Sequence, residues 1–309
     1  VLIVQGITKY DQAFSTAITI GTFDGVHIGH RKILQRLIKN ATKLNLKSTV
    51  LTFFPHPRMV LQKDTEIKLL NTLDEKSKIM EELGLGLLIV HPFTKEFSRL
   101  SATEFVRDVL VNSLLVKKII IGYDHRFGRN REANITDLIS FGNTLDFEVE
   151  EISAQEIDDV SVSSTKIRLA LENGDVKTAN KYLGYHYMLT GTVVKGKGLG
   201  RQLNFPTANI KIEEPYKLIP MNGSYVVQSS IHGNQVYGMM NIGYNPTVSG
   251  TEKSIEVNFF DFYEDLYDQK LQVDILDRLR DEEKFNSVSE LQEQLIRDRE
   301  RSLDIINKS

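Results

Sequence analysis

Ten residues near the start of the chain concentrate groups that bind phosphate: Gly21-Thr22-Phe23-Asp24-Gly25-Val26-His27-Ile28-Gly29-His30. Glycine lets a backbone turn come close to a ligand. His27 and His30 are three residues apart and so reach the same side of a first helical turn. Upstream, Ala17-Ile18-Thr19-Ile20 reads as a buried strand, and downstream Ile33, Leu34, Leu37, Ile38 and Ala41 follow helical spacing. A strand-to-helix turn presents a helix N-terminus, whose N–H groups and dipole favour anions. The pattern predicts a nucleotide triphosphate site built from Gly21, Phe23, Asp24, Gly25, His27, Gly29 and His30. An ordinary turn explains one Gly-His pair, but not three glycines and two histidines in a single turn.

Four further constellations carry chemistry. In Val162-Ser163-Ser164-Thr165-Lys166-Ile167-Arg168, Ser163 or Ser164 suits a helix N-cap, and Asn173-Gly174 suits its end. A capped helix alone explains the serines; Arg168, one turn in, adds a guanidinium able to reach an anion at that N-terminus. Gly196, Gly198 and Gly200 interleave with Lys195, Lys197 and Arg201 to make a cationic loop suited to phosphates, or simply a basic hairpin. It is neither a Rossmann fingerprint nor a Walker A element, because Arg201 takes the third glycine's place and no Gly-Lys-Ser/Thr follows. Thr207 and Asn209 offer neutral oxygens of the kind Mg²⁺ accepts, although a polar turn after Pro206 would look the same. Glu256 alternates with Ile255 and Val257, the pattern of a strand whose glutamate faces away from at least part of the core.

The elements that must position these residues change character along the chain. Runs at 49–53, 87–90, 119–121 and 147–149 read as strands, with helical spacing at 73–83 and 103–114. That alternation predicts an open, mostly parallel α/β sheet, in which ligands bind beyond the carboxyl ends of the strands. Beyond Gly184–His186 the pattern becomes short strands at 188–194, 224–230, 236–240, 255–260 and 271–276, which predicts an antiparallel β-barrel. A last helix is announced by Ser287 with Glu290, followed by an apolar stripe of Val288, Leu291 and Leu295 expected to pack on the core. The expected domains are therefore 1–184 and 185–309.

Composition limits the function. The 309 residues allow two domains, and 41% hydrophobic with 26% charged residues is the balance of a globular protein. A net charge of −3 gives no general pull toward nucleic acid. No apolar run approaches the roughly 20 residues of a membrane span. The absence of cysteine excludes disulfides, thiolate metal sites and cysteine nucleophiles, and fits a cytoplasmic setting. The opening Val-Leu-Ile-Val is too short for a secretory h-region. Oligomeric state leaves no mark in the sequence.

The tetrad His27-Ile28-Gly29-His30 also occurs in class I aminoacyl-tRNA synthetases and points to the nucleotidyltransferase superfamily as a whole. Taken with the other motifs, the chain resembles the bacterial bifunctional riboflavin kinase/FMN adenylyltransferases, or FAD synthetases, almost from end to end. The resemblance rests on residues 21–30, Thr52-Phe53-Phe54-Pro55-His56-Pro57, Gly122-Tyr123-Asp124-His125-Arg126-Phe127-Gly128 and 163–168 in the first half. In the second half it rests on residues 196–201, Asn204-Phe205-Pro206-Thr207-Ala208-Asn209, Asn241-Ile242-Gly243-Tyr244-Asn245-Pro246-Thr247 and 256–262.

The resemblance implies a nucleotidyltransferase-like sheet that makes FAD and pyrophosphate from FMN and ATP. It also implies a barrel that makes FMN and ADP from riboflavin and ATP. It assigns ATP to the first turn, to Ser163, Ser164, Thr165 and Arg168, and in the barrel to Gly196, Lys197, Gly198, Gly200, Arg201, Thr207 and Asn209. Mg²⁺ falls to Thr207 and Asn209. Flavin falls to Pro57, Asp124, Arg126 and Glu256, the last as acceptor of the riboflavin 5′-hydroxyl proton. His27, His30 and Arg168 take catalytic roles toward the triphosphate. His125 stands where the family usually has Phe, and residues 129–134 lack a usual glycine, both expected near the flavin side of the adenylyltransferase site. Asn204 replaces a common Gly before Phe205-Pro206, and Asp268-Gln269 replaces another after Asp265-Leu266-Tyr267. The rival readings are a kinase with a degenerate first domain, a flavin-binding regulator, and a synthetase. The last lacks a Lys-Met-Ser-Lys-Ser-type loop and a basic tRNA surface.

Overall fold

A computed structural model describes the chain except residues 63–65, 124, 154–161, 197, 199, 201–202, 248–249 and 309. It divides into two compact units, Val1–Ser163 and Ser164–Ser309.

The first unit is built on six strands: β1 (Leu2–Gln5), β2 (Thr16–Ile20), β3 (Lys47–Phe53), β4 (Leu87–His91), β5 (Val116–Gly122) and β6 (Glu148–Ile152). Their order is β1-β4-β3-β2-β5-β6 and every pairing is parallel. Parallel strands covered on both faces read as continuous apolar runs, and all five residues of β2 are buried. The outer strands differ: β6 carries Glu148 and Glu150, both paired with Lys118, and Leu2 and Ile3 of β1 are exposed. The chain leaves β2 toward β3 on one side and later returns to β2's other side as β5. Such a reversal of strand order opens a crevice at the carboxyl ends of the strands.

The connections are α1 (Ile28–Lys43), α2 (Pro57–Leu61), α3 (Leu73–Glu82), α4 (Ala102–Glu104) and α5 (Ile135–Leu145). The helix expected at 103–114 is mostly wider than an α-helix. After α4 it continues as a π-helical segment, Phe105–Ser113, in which Leu114 N donates to Val109 O at 3.1 Å. Phe105, Val106, Val109 and Leu110 still reach the core formed with Ile18, Leu51, Ile89 and Ile119.

The second unit opens with α6 (Ser164–Glu172) and α7 (Val176–Leu183) and continues into a closed barrel. Its strands are β7 (Tyr187–Val194), β8 (Ala208–Lys211), β9 (Gly223–Ile231), β10 (Asn234–Thr247), β11 (Gly250–Phe259) and β12 (Lys270–Arg280). They close in the order β10-β11-β8-β7-β12-β9, antiparallel throughout. The four-residue β8, which periodicity does not announce, joins β7 to β11. Helices α6 and α7 lean on this barrel: Asn180 donates to Ile275 O at 2.9 Å and accepts from Tyr187 N at 2.7 Å. Met221 N donates to Leu171 O at 3.0 Å. Among the described residues no helix is long and apolar enough to cross a membrane.

The last helix, α8 (Val288–Ile306), is capped by Ser287 as expected, its side chain accepting from Glu290 N. The Glu290 carboxylate accepts from Asn286 N, one residue before the cap. Leu291 and Leu295 pack against Val226, Met239 and Leu279, whereas Val288 is exposed and does not belong to the stripe. The helix is fastened by Asp298, buried, which accepts from Arg280 Nη2 at 2.8 Å and from Gln294 at 2.8 Å. Removing one partner of a buried pair leaves the other uncompensated, at about 3–5 kcal/mol. Asp298→Ala should lower stability by about that amount in urea unfolding, and the double change Arg280→Met/Asp298→Leu should recover most of it.

Candidate functional site

The turn between β2 and α1 is tightly constrained. Phe23, Gly25 and Val26 take φ of 46°, 84° and 36°. A β-branched residue at positive φ is strained and persists only where surroundings over-determine it. Those surroundings are visible: Asp24 Oδ1 accepts from Leu70 N at 2.9 Å, and the Thr22 carbonyl accepts from Thr52 Oγ1 at 3.3 Å and from Lys76 Nζ at 2.6 Å. Gly21 N donates to Leu51 O at 3.1 Å, tying the start of the turn to β3. Phe23, Asp24, Gly25 and Val26 are all buried.

His27 is the N-cap of α1, its Nδ1 accepting from His30 N at 3.4 Å. An accepting Nδ1 places the proton of the neutral ring on Nε2, making that atom a donor. The His30 ring stacks on His27 with centroids 3.6 Å apart and meets Phe23 edge-on at 5.1 Å. Burial lowers the His27 pKa to about 4, with Asp24 opposing. Burial also holds the His30 pKa well below its ordinary value, with repulsion from His27 and Lys76 acting the same way. The two imidazoles are therefore neutral donors at the head of α1. With the α1 N-terminus around Gly29, they form a cradle suited to phosphate oxygens.

Beside this cradle runs a row of rings. Phe53 lies 5.6 Å from Phe93 and 5.5 Å from Phe97; Phe97 reaches Phe105 at 6.1 Å, and Phe105 reaches Phe127 at 6.1 Å. His125 stacks on Phe127 at 6.3 Å, so the imidazole extends the aromatic row in place of a phenyl ring. Pro57 opens α2 under the cap of His56, and Arg126 is exposed. Asp124 lies outside the described residues. The loop at 129–134, without its glycine, takes left-handed backbone at Asn130 (φ 55°) and Arg131 (φ 58°) instead. Gly128 (φ 75°) packs against the backbone of Ala102, where a Cβ would stand 3.0 Å from the amide nitrogen.

Ser163 ends the first unit, and Ser164, Thr165 and Arg168 begin the second on α6, with Thr165 exposed and Arg168 half-buried. The helix ends at Gly174 (φ 75°), as Asn173-Gly174 predicted.

In the barrel, Glu256 of β11 pairs in register with Asn209 of β8, and Thr207 Oγ1 donates to Glu256 Oε2 at 3.3 Å. Ile255 and Val257 are buried while Glu256, Thr207 and Asn209 are half-buried. Asn258 donates to Pro206 O at 2.7 Å and pins the strand entry that carries Thr207. Two loop glycines lie in close approach to the cluster. A Cβ at Gly196 would collide with the Asn209 carboxamide, and one at Gly200 with the Phe205 carbonyl, 3.3 Å from Thr207 Oγ1. Gly198 (φ 72°) faces open space. Lys197 and Arg201 lie outside the described residues. Among the described residues no three His, Cys, Asp or Glu side chains gather to hold a metal. The hard oxygens of Thr207, Asn209 and Glu256 suit an ion that completes its shell with water and phosphate.

Sequence reasoning passed over Thr22, Leu70 and Lys76. The available signal was Thr72-Leu73-Asp74-Glu75, a capping box that forms in full and starts α3 directly ahead of Lys76.

Family models described as FAD synthetase and riboflavin kinase match residues 10–166 and 183–306. A bifunctional riboflavin kinase/FMN adenylyltransferase of Listeria monocytogenes is 38% identical over 91% of this chain and 89% of its own length. Proteins of the same name from Bacillus subtilis and Escherichia coli are 36% and 35% identical, each over 96% of this chain and covering 94% and 95% of their own lengths. A crystal structure named a macrolide-efflux protein, from Streptococcus pneumoniae, superposes with a TM-score of 0.87 at 32% identity, covering 98% of this chain and 99% of that one. Both halves match in order and nearly in full length, and the chain belongs to the family of bifunctional riboflavin kinase/FMN adenylyltransferases.

Proposed function

We propose that this chain performs two successive ATP-dependent transfers at separate sites. The observation that carries the reading is the presence, in one chain, of both a phosphate cradle at the β2–α1 turn and a Thr207–Asn209–Glu256 cluster in the barrel. The family matches at 10–166 and 183–306 support a division of labour at Gly184, with adenylyl transfer assigned to 1–184 and phosphoryl transfer to 185–309.

In the barrel, the riboflavin 5′-hydroxyl oxygen attacks the γ-phosphorus of ATP. The bond from that phosphorus to the β-bridging oxygen breaks, ADP leaves, and Glu256 takes the hydroxyl proton. Gly196, Gly198, Gly200 and the basic residues Lys197 and Arg201 are assigned to the phosphates. Mg²⁺ would be held by Thr207 and Asn209, neutralising phosphate charge when bound.

In the first unit, an FMN phosphate oxygen attacks the α-phosphorus and pyrophosphate leaves. His27, His30 and the head of α1 donate to the triphosphate, and the family resemblance assigns ATP also to Ser163, Ser164, Thr165 and Arg168. Pro57, Asp124 and Arg126 are assigned to the flavin, and the aromatic row continued by His125 offers it a stacking surface. Catalysis here is positioning and charge stabilisation, with no covalent enzyme intermediate. The reliance on ATP supports a cytoplasmic setting.

Incubation with riboflavin and MgATP, followed by chromatography, tests the reading: FMN should appear first and FAD after it. FMN without FAD would leave a kinase alone, and unchanged riboflavin would remove both activities. His30→Ala should cut FAD formation from FMN by roughly 10²–10³, as loss of a donor to developing charge does, with riboflavin phosphorylation near normal. Glu256→Gln should do the reverse, lowering kinase kcat by roughly 10²–10⁴ while FMN adenylylation persists. Equal loss of both activities in either variant would contradict separate sites.

A further inference from the structure

Lys76 is an anomaly that phosphate binding does not by itself explain. It sits in the first turn of α3 with only 5% of its surface exposed, and burial lowers its pKa against the opposing pull of Asp24. Buried ammonium groups are costly unless paired and hydrogen-bonded. Its Nζ donates to the Thr22 carbonyl at 2.6 Å, across 54 residues of chain, and Asp24 lies close enough to attract it. Its charge is also felt by His30, in the first turn of α1. A cation near a helix N-terminus opposes the helix dipole and is unfavourable there unless an anion joins them.

The same segment reaches the turn twice. Leu70 N holds Asp24 and Lys76 Nζ holds Thr22, so the strained residues between Gly21 and His27 are gripped at two points from one capped helix start. Thr72 Oγ1 accepts from Glu75 N at 3.1 Å and Glu75 Oε2 accepts from Thr72 N at 2.9 Å, which fixes where α3 begins and hence where Lys76 emerges.

We propose that Lys76 is a positioning residue for adenylyl transfer, its ammonium gripping the Thr22 carbonyl so that the turn bearing His27 and His30 is held in register with the triphosphate. The inference rests on the two-transfer reading above. It gives Lys76 no contact with substrate: it acts through the backbone of the turn and through the positive field it adds behind the imidazoles. A lysine retained only for folding would be replaced without functional loss by an apolar side chain of similar length.

The test compares wild type, Lys76→Met, Lys76→Gln and Lys76→Arg as full chains, measuring kcat and KM for FMN adenylylation, riboflavin phosphorylation, and thermal unfolding. Wild type must make FAD from FMN; if it does not, the two-transfer reading fails and not this one. Given that activity, Lys76→Met and Lys76→Gln should lose about 30- to 1000-fold in adenylylation kcat, with KM for ATP moving far less, unchanged kinase activity and a retained unfolding transition. Lys76→Arg, which keeps charge and donor, should recover at least tenfold over Lys76→Met. Adenylylation within threefold of wild type in a neutral variant overturns the proposal. So does a Lys76→Arg enzyme as poor as Lys76→Met, or failure of both neutral variants to fold, either of which makes the lysine a packing residue.

Discussion

Everything asked of the first unit depends on holding one strained turn in place. Phe23, Gly25 and Val26 adopt left-handed backbone, and within the turn Val26 N donates to Phe23 O at 3.2 Å. Further support comes from a distance: the backbone of Leu70 on Asp24, and the side chains of Thr52 and Lys76 on the Thr22 carbonyl. With the turn fixed, His27 caps α1 through Nδ1, its proton sits on Nε2, and His30 stacks on it. Two imidazoles in contact cannot both carry charge, and burial keeps both neutral. In the proposed adenylyl transfer they would act as oriented donors and not as cations, a form in which preorganised groups stabilise developing phosphate charge without reorganising during reaction.

The barrel reaches a comparable result by other means. The groups proposed for its chemistry include a strand pair, Asn209 opposite Glu256, so their spacing is set by sheet register and not by a turn. The loop glycines at 196 and 200 lie close to Asn209 and Thr207, and at 200 a Cβ would collide with the Phe205 carbonyl. If that loop holds substrate phosphates as proposed, Gly196 and Gly200 bring them near the oxygens of Asn209 and Thr207. The Glu256 carboxylate accepts a hydrogen bond from Thr207 Oγ1, which ties it to the segment that leads into β8. Arg280 and Asp298 fasten α8 to β12.

What could be read from the sequence was what local spacing encodes. The β2–turn–α1 unit was legible because glycines, histidines and the flanking apolar runs are contiguous. The barrel was legible from its alternation, yet β8 was not, since Ala208–Lys211 is short and its strand state is imposed by β7 and β11. The π-helical stretch after α4 was hidden because Phe105, Val106, Val109 and Leu110 suit either helical width. Val288 fits the apolar stripe by spacing but sits at the first turn of α8, beyond the barrel surface that Leu291 and Leu295 cover. Lys76 in Leu73-Asp74-Glu75-Lys76 looks like a solvated helix face, and only the arrival of a carbonyl from residue 22 makes it a buried cation. The family resemblance supplied roles that spacing alone left open, for Glu256, Thr207 and Asn209 above all.

The neutral histidine pair is the claim on which the account of the first site turns. It has a thermodynamic sign. A histidine whose pKa falls on folding contributes full stability above its unfolded value near 6.5, and that contribution is lost as pH drops toward the folded value. For His27 that window runs from about 6.5 down to about 4. Histidine-selective NMR of the free full-length chain, assigned with single His27→Gln and His30→Gln variants, measures both rings directly. The account predicts that His27 titrates at about 4 and that His30 stays neutral throughout the range in which the fold survives. Either ring titrating at 6.5 or above would contradict it.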